Sequence, residues 1–138
     1  MPLTLTYSEG VIPETAVPQV VAKLTESMLK WHGLTGNKAM TPTVTGQVHV
    51  MPKGTTFTGG KELAGAWVEW KTPSFAFSTR EIQLGHIEDA TNIIYEASGG
   101  KLPKNQIWVN VVHAVDGAWG IAGKAMTNAE LGAVISKG

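Results

Sequence analysis

Asp116-Gly117-Ala118-Trp119-Gly120-Ile121-Ala122-Gly123-Lys124, shortly behind the run Ile107-Trp108-Val109-Asn110-Val111-Val112-His113, decides the fold. Shifted back by 63 positions, Gly117 falls on Gly54, Gly123 on Gly60 and Lys124 on Lys61. The earlier segment, Pro52-Lys53-Gly54-Thr55-Thr56-Phe57-Thr58-Gly59-Gly60-Lys61, is likewise a glycine-punctuated loop or hairpin. The segments ahead of the two loops also correspond. In the first half, Leu3-Thr4-Leu5-Thr6-Tyr7 alternates apolar and polar residues, the period of a half-buried strand. Glu9-Gly10 turns the chain, and a helix opens at Pro13-Glu14-Thr15. Its buried face is expected to carry Val17, Val20, Val21, Leu24, Met28 and Leu29, with Pro18 tolerated in the first turn. Gly33 and Gly36 end that helix, and a strand follows over Val44–Val50.

The second half starts again with a strand, Ala64–Lys71. Ser78-Thr79-Arg80-Glu81 has the form of a capping box ahead of a second helix. Ile87, Ala90, Ile94 and Ala97 lie on one face of it, Ile93 beside them, and His86 on the polar face. Gly99-Gly100 stops the helix before the strong strand Ile107–His113. Strand, helix, strand and glycine hairpin thus occur twice, a tandem duplication of one βαβ unit. Residues 1–138 read as a single α/β (α+β) domain with repeat units over about 2–63 and 64–138. Right-handed crossovers give a four-stranded sheet with both helices on one face. The other face still carries apolar residues. With five tryptophans in 138 residues, several on strands or hairpins, it is expected to be covered by other subunits.

Composition narrows the function. The chain has no cysteine, which excludes disulfides, thiolate nucleophiles and Cys-type zinc sites. Eleven basic side chains balance eleven acidic ones, so no net field draws nucleic acid or anionic lipid. No apolar run reaches membrane-spanning length and no signal-peptide pattern opens the chain, so a cytoplasmic protein is expected. No spacing of the four histidines resembles a metal pair, and His49 and His113 read as structural. Of the cations, only Arg80 is an arginine, the planar fork that grips a carboxylate bidentately.

Met1-Pro2 leading directly into a strand, then Glu9-Gly10, a helix, and two βαβ units each closed by a glycine hairpin, resembles the tautomerase superfamily. That group includes 4-oxalocrotonate tautomerase, malonate semialdehyde decarboxylase, the chloroacrylic acid dehalogenases and macrophage migration inhibitory factor. Gly117–Gly123 looks like the terminal hairpin of the short tautomerases. Gly54–Gly60 is similar to the corresponding segment of the cis-3-chloroacrylic acid dehalogenase group.

The resemblance implies a cofactor-independent reaction on a small 2-oxo or enol carboxylic acid, with Pro2 as the catalytic residue. Removal of Met1 exposes a secondary amine on Pro2, and burial among apolar strands lowers its pKa until the neutral amine serves as a general base. Met1, if kept, leaves that nitrogen an amide without basicity. Other members keep the proline protonated for hydration, dehalogenation or decarboxylation. Arg80, at the start of the second helix, matches the family's carboxylate-binding arginine; its alternative is a solvated capping-turn residue. Asn110 is assigned to substrate binding, as a hydrogen-bond donor to a carbonyl or enolate oxygen, against a buried structural asparagine. Trp119 is assigned as an apolar lid over the proline, a role compatible with packing at a subunit interface. Lys61 and Lys124 either attract an anionic substrate or solvate a loop. The dehalogenases' histidine aligns with Leu29, with His32 one turn away, their glutamate with Ile121 and their tyrosine with Asn110, so hydrolytic dehalogenation is disfavoured. The rival from another class is a non-catalytic small-molecule-binding or interaction module.

Overall fold

The computed structural model describes residues 1–138. The first unit contains β1 (Leu3–Ser8), α1 (Val17–Trp31), β2 (Gly46–Met51) and the short hairpin β3 (Phe57–Thr58) and β4 (Lys61–Glu62). The second contains β5 (Ala66–Pro73), α2 (Arg80–Ala97), β6 (Ile107–Ala114) and the hairpin β7 (Trp119–Ile121) and β8 (Lys124–Met126), followed by α3 (Asn128–Ile135). One mixed sheet has the order β2-β1-β5-β6. Strands are parallel within each unit, and the units meet antiparallel through β1 and β5, Leu5 opposite Val68.

Period-two alternation sorts the sheet into two faces. Leu3, Leu5 and Tyr7 of β1 and Ala66, Val68 and Trp70 of β5 are buried beneath the helices. α1 contributes Val20, Leu24, Met28 and Leu29 to this core, largely as its spacing requires, with Val17 and Val21 partly buried. The opposite face presents half-buried or exposed residues: Thr4, Thr6, Trp67, Glu69, Trp108 and Asn110. There Trp67 and Trp108, opposite each other in register, stack with ring centroids 5.7 Å apart.

Four expectations are corrected. His86 is 0% exposed rather than on a polar face, while Ile87 is the exposed neighbour. His86 is held inside because Ser27 of α1 meets its Nδ1 at 3.0 Å and Trp70 and Phe77 flank its ring. The Ser27 hydroxyl also donates to Asp89 at 3.1 Å, and Trp31 Nε1 donates to the same carboxylate at 2.7 Å. This polar clasp between the helices satisfies Nδ1 of the buried imidazole, while its Nε2 is left without a partner. The cap of α2 is Thr79, not Ser78, its Oγ1 accepting from Ile82 N at 3.3 Å. β5 runs two residues later than the alternation suggests, ending at Pro73. Finally, α3 is an element not anticipated at all. Its signal is Thr127 and Glu130 in capping-box spacing, and the Thr127 hydroxyl accepts from Glu130 N at 3.2 Å.

The repeated glycines have a backbone reason. Gly54 and Gly117 have φ of 82° and 91°, Gly60 and Gly123 of 78° and 80°, all in the left-handed region. No helix is long and apolar enough to cross a membrane.

Candidate functional site

Pro2 directly precedes β1, where its carbonyl accepts from Lys71 N at 3.0 Å. That bond continues the β1–β5 register, so Pro2 lies beside Lys71, and Lys71 beside Val112 of β6. These residues line an open cavity of about 310 Å³, with His113 and Trp119 completing its wall. Lys71 is the one lysine or arginine lining it. His113 is committed elsewhere through a 2.9 Å hydrogen bond from Nε2 to the Ala76 carbonyl, in keeping with a structural histidine.

With Met1 in place, the Pro2 nitrogen is an amide. The Met1 amine donates to the Thr43 carbonyl, and the residue is 4% exposed. Burial lowers that amine from 8.0 to about 6, since an ammonium loses hydration there. Beyond Met1 lies a second cavity of about 330 Å³, lined mainly by apolar residues that include Met40, Phe75, Met126 and Leu131. Trp119, half-buried at the start of β7, lines both cavities.

Of the four candidate residues, the fold brings together Pro2 and Trp119. Arg80 opens α2 in the helix layer, exposed, with Nη1 donating to Gln83 Oε1 at 3.4 Å. It lines a groove with Leu84, Ile87 and Lys104 and does not reach the Pro2 cavity of its own protomer. Asn110 is exposed on the open sheet face opposite Glu69, rather than buried with structural bonds, and lines neither cavity. Lys124 lines the apolar cavity, whereas Lys61 is exposed on the first hairpin. His32 is structural: its Nδ1 donates to the Met28 carbonyl at 2.8 Å and its Nε2 accepts from Phe77 N at 3.1 Å. Burial lowers its pKa, consistent with that neutral tautomer.

Sequence reasoning missed Lys71 and the Met1 cavity. Alternation places Lys71 on the face opposite Trp70, which was legible. Its placement beside Pro2 depends on the β1–β5 register, which joins the two units.

No family model and no curated protein matches the chain. Solved structures do. A fused 4-OT, solved as a symmetric trimer, superposes with a TM-score of 0.76 at 15% identity, over 96% of this chain and 99% of that one. The chain has the tautomerase fold. N1, a member of the cis-3-chloroacrylic acid dehalogenase family, gives 0.73 at 18% identity over 91% of this chain and 83% of that one. Pt0534, solved after inactivation by 2-oxo-3-pentynoate, gives 0.77 at 17% identity over 96% and 99%. At these identities the tautomerase likeness is one of architecture, and the chemistry has to be argued from this chain's own residues.

Proposed function

We propose that this protein is a cofactor-independent tautomerase/isomerase that moves a proton on a small 2-oxo or enol carboxylic acid, using the amine of Pro2 after removal of Met1. The observation that carries this reading is the position of the Pro2 nitrogen. It joins a residue buried in an apolar cavity to the start of an inner strand, with a cation on its other side. The protomer leaves Pro2 exposed rather than buried among apolar strands, so burial of its amine would have to come from a neighbouring subunit; the Met1 amine one residue away, which burial lowers to about 6, shows what desolvation does at this end of the strand. Lys71 adds like-charge repulsion that favours a neutral proline, and it attracts the substrate carboxylate. Trp119 forms the apolar wall. In this reading Arg80 and Asn110 serve the site across a subunit boundary, since they do not meet Pro2 within one protomer. Such a role calls for the homotrimer that the open sheet face and the trimeric fused 4-OT make reasonable.

The test is a pH–rate profile on phenylenolpyruvate or a 2-hydroxydienoate, with Met1-free protein beside an N-terminally extended form. Activity is expected without added metal or cofactor, rising with pH through the pKa of the proline amine. The extended form, whose nitrogen is acylated, should be inactive. Activity that falls with rising pH would indicate a hydratase, dehalogenase or decarboxylase type of chemistry with a protonated proline. Equal rates for the two forms would refute catalysis by Pro2. The second reading, a small-molecule-binding module, requires that Met1 be kept, since the Pro2 nitrogen is then an amide without basicity. Intact mass separates the two readings, because a purified chain that keeps Met1 can only bind.

A further inference from the structure

Met1 occupies its cavity in the manner of a ligand. Its amine donates to Thr43, and its side chain, an unbranched run of four heavy atoms, is 4% exposed among apolar residues. Space of about 330 Å³ remains beyond it. Met40 and Met126 in the wall are flexible, polarizable gap-fillers suited to a linear chain. Thr43 and Lys124 are the only polar residues of the lining, and Lys124 lies at the exposed side with Ile121 and Val134, so an anionic group placed at the buried end near Met1 and Leu131 would have no counter-charge and would forfeit its hydration. The carboxylate-attracting side of the site is elsewhere, at Lys71 across Trp119.

We propose that this cavity, together with the seat of Met1 at its end, is a receptor for an unbranched apolar chain: Met1 holds that seat in the unprocessed protein, and the tail of an aliphatic 2-oxo monocarboxylic acid takes it after Met1 removal. The assignment of that tail rests on the reading of Pro2 as the catalytic amine; the cavity's preference for a linear apolar chain does not. A butyl group matches the methionine side chain in length, which makes 2-oxohexanoate and its enol the representative substrate. In ketonisation the enol O–H bond breaks and a C3–H bond forms from the C2=C3 electron pair. Pro2 carries the proton and no oxidant is required. The Lys71 side would hold the carboxylate while C3 to C6 enter behind Trp119. A 2-oxo dicarboxylate would have to place its second carboxylate in the apolar cavity.

Methyl-labelled methionine offers a readout that does not depend on turnover. Hexanoate is titrated into Met1-free and Met1-retaining protein, and the methyl resonances of Met40 and Met126 are followed, with Met51 on β2 as a control. Hexanoate should shift Met40 and Met126 but not Met51, and bind Met1-retaining protein at least about tenfold more weakly. Butyrate should bind about tenfold more weakly than hexanoate, since each buried methylene contributes about three- to fourfold. Adipate should be weaker than hexanoate by a similar factor. Val134→Trp, at the partly exposed rim, should keep the fold and lose hexanoate binding by at least about tenfold. Equal binding to both forms, unshifted Met40 and Met126, adipate as tight as hexanoate, or an unaffected Val134→Trp would each overturn the proposal. Hexanoate binding without turnover of the 2-oxohexanoate enol would reject Pro2 catalysis and leave the receptor standing. Turnover that favours dicarboxylates would reject the receptor alone.

Discussion

The two glycine hairpins share a pattern and have opposite fates. In the first unit, β3–β4 stands away from the core with Phe57 55% exposed. In the second, β7–β8 folds back over the chain start, with Trp119 packed against the core and Leu131 of α3 buried behind it. The difference comes from the segment on the C-terminal side of each hairpin. Behind β4 the chain enters an inner strand; behind β8 it forms α3, capped by Thr127 and tied to the body by Asn37 Nδ2 donating to the Ile135 carbonyl at 3.0 Å. A repeated motif therefore specifies a turn, while its surroundings specify a function: only the second hairpin closes a cavity beside Pro2. It also bears a strain the first avoids. Gly59 has φ of 59°, and its counterpart Ala122 adopts 51°, a conformation that opposes an L side chain.

The largest way to break this contrast is Leu131→Ala. The lost burial and the resulting void should cost about 2–5 kcal/mol in chemical denaturation and loosen the cavity wall. Retention of wild-type stability would mean that α3 does not pin the second hairpin.

Acid tests the units through their helices. The buried face of α1 is apolar apart from Ser27, whereas α2 buries His86, whose pKa burial lowers from 6.5 to about 4. Between these values the unfolded chain takes up a proton that the folded chain refuses, so stability should fall as pH drops from about 6.5 to about 4. At about 1.4 kcal/mol per pH unit, the loss approaches about 3 kcal/mol. His86→Gln should flatten that slope in denaturation curves taken across the range, at some cost in overall stability.

Ala122→Gly sharpens the hairpin comparison by relieving the second turn, with an expected gain of about 1 kcal/mol in stability. The reciprocal Gly59→Ala should cost a similar amount. The smallest effect is expected for Phe57→Ala, within about 0.5 kcal/mol for the isolated protomer. A concentration-dependent loss of melting temperature in that variant would instead assign Phe57 to a subunit contact.

Much of the fold was legible because its determinants are local. Alternation in Leu3–Tyr7 and Ile107–His113 marks strands, the spacing of Val20, Leu24 and Met28 marks a helix face, and left-handed turns demand the paired glycines. Thr127-x-x-Glu130 carries the last helix in the same local code, but so short a segment shows too little apolar periodicity to announce itself. The site was legible only in part. Pro2 and Trp119 stood out by residue type, but Lys71 acquires its place through pairing of β1 with β5 across more than sixty residues of chain.

By itself, then, the sequence determined most of the elements and the two turns, because backbone sterics and side-chain periodicity act within a few residues. Tertiary structure alone decided which polar groups face what. It buried His86 against Ser27, left Arg80 and Asn110 outside the Pro2 cavity, and seated Met1 behind Trp119. Those outcomes depend on the register between the units and on how closely the helices approach. Gly85 shows this directly: a Cβ added there would collide with the indole of Trp31, which Asp89 holds in place. Such constraints arise from close packing between distant segments, where hydrogen bonding and excluded volume, rather than local pattern, select the arrangement.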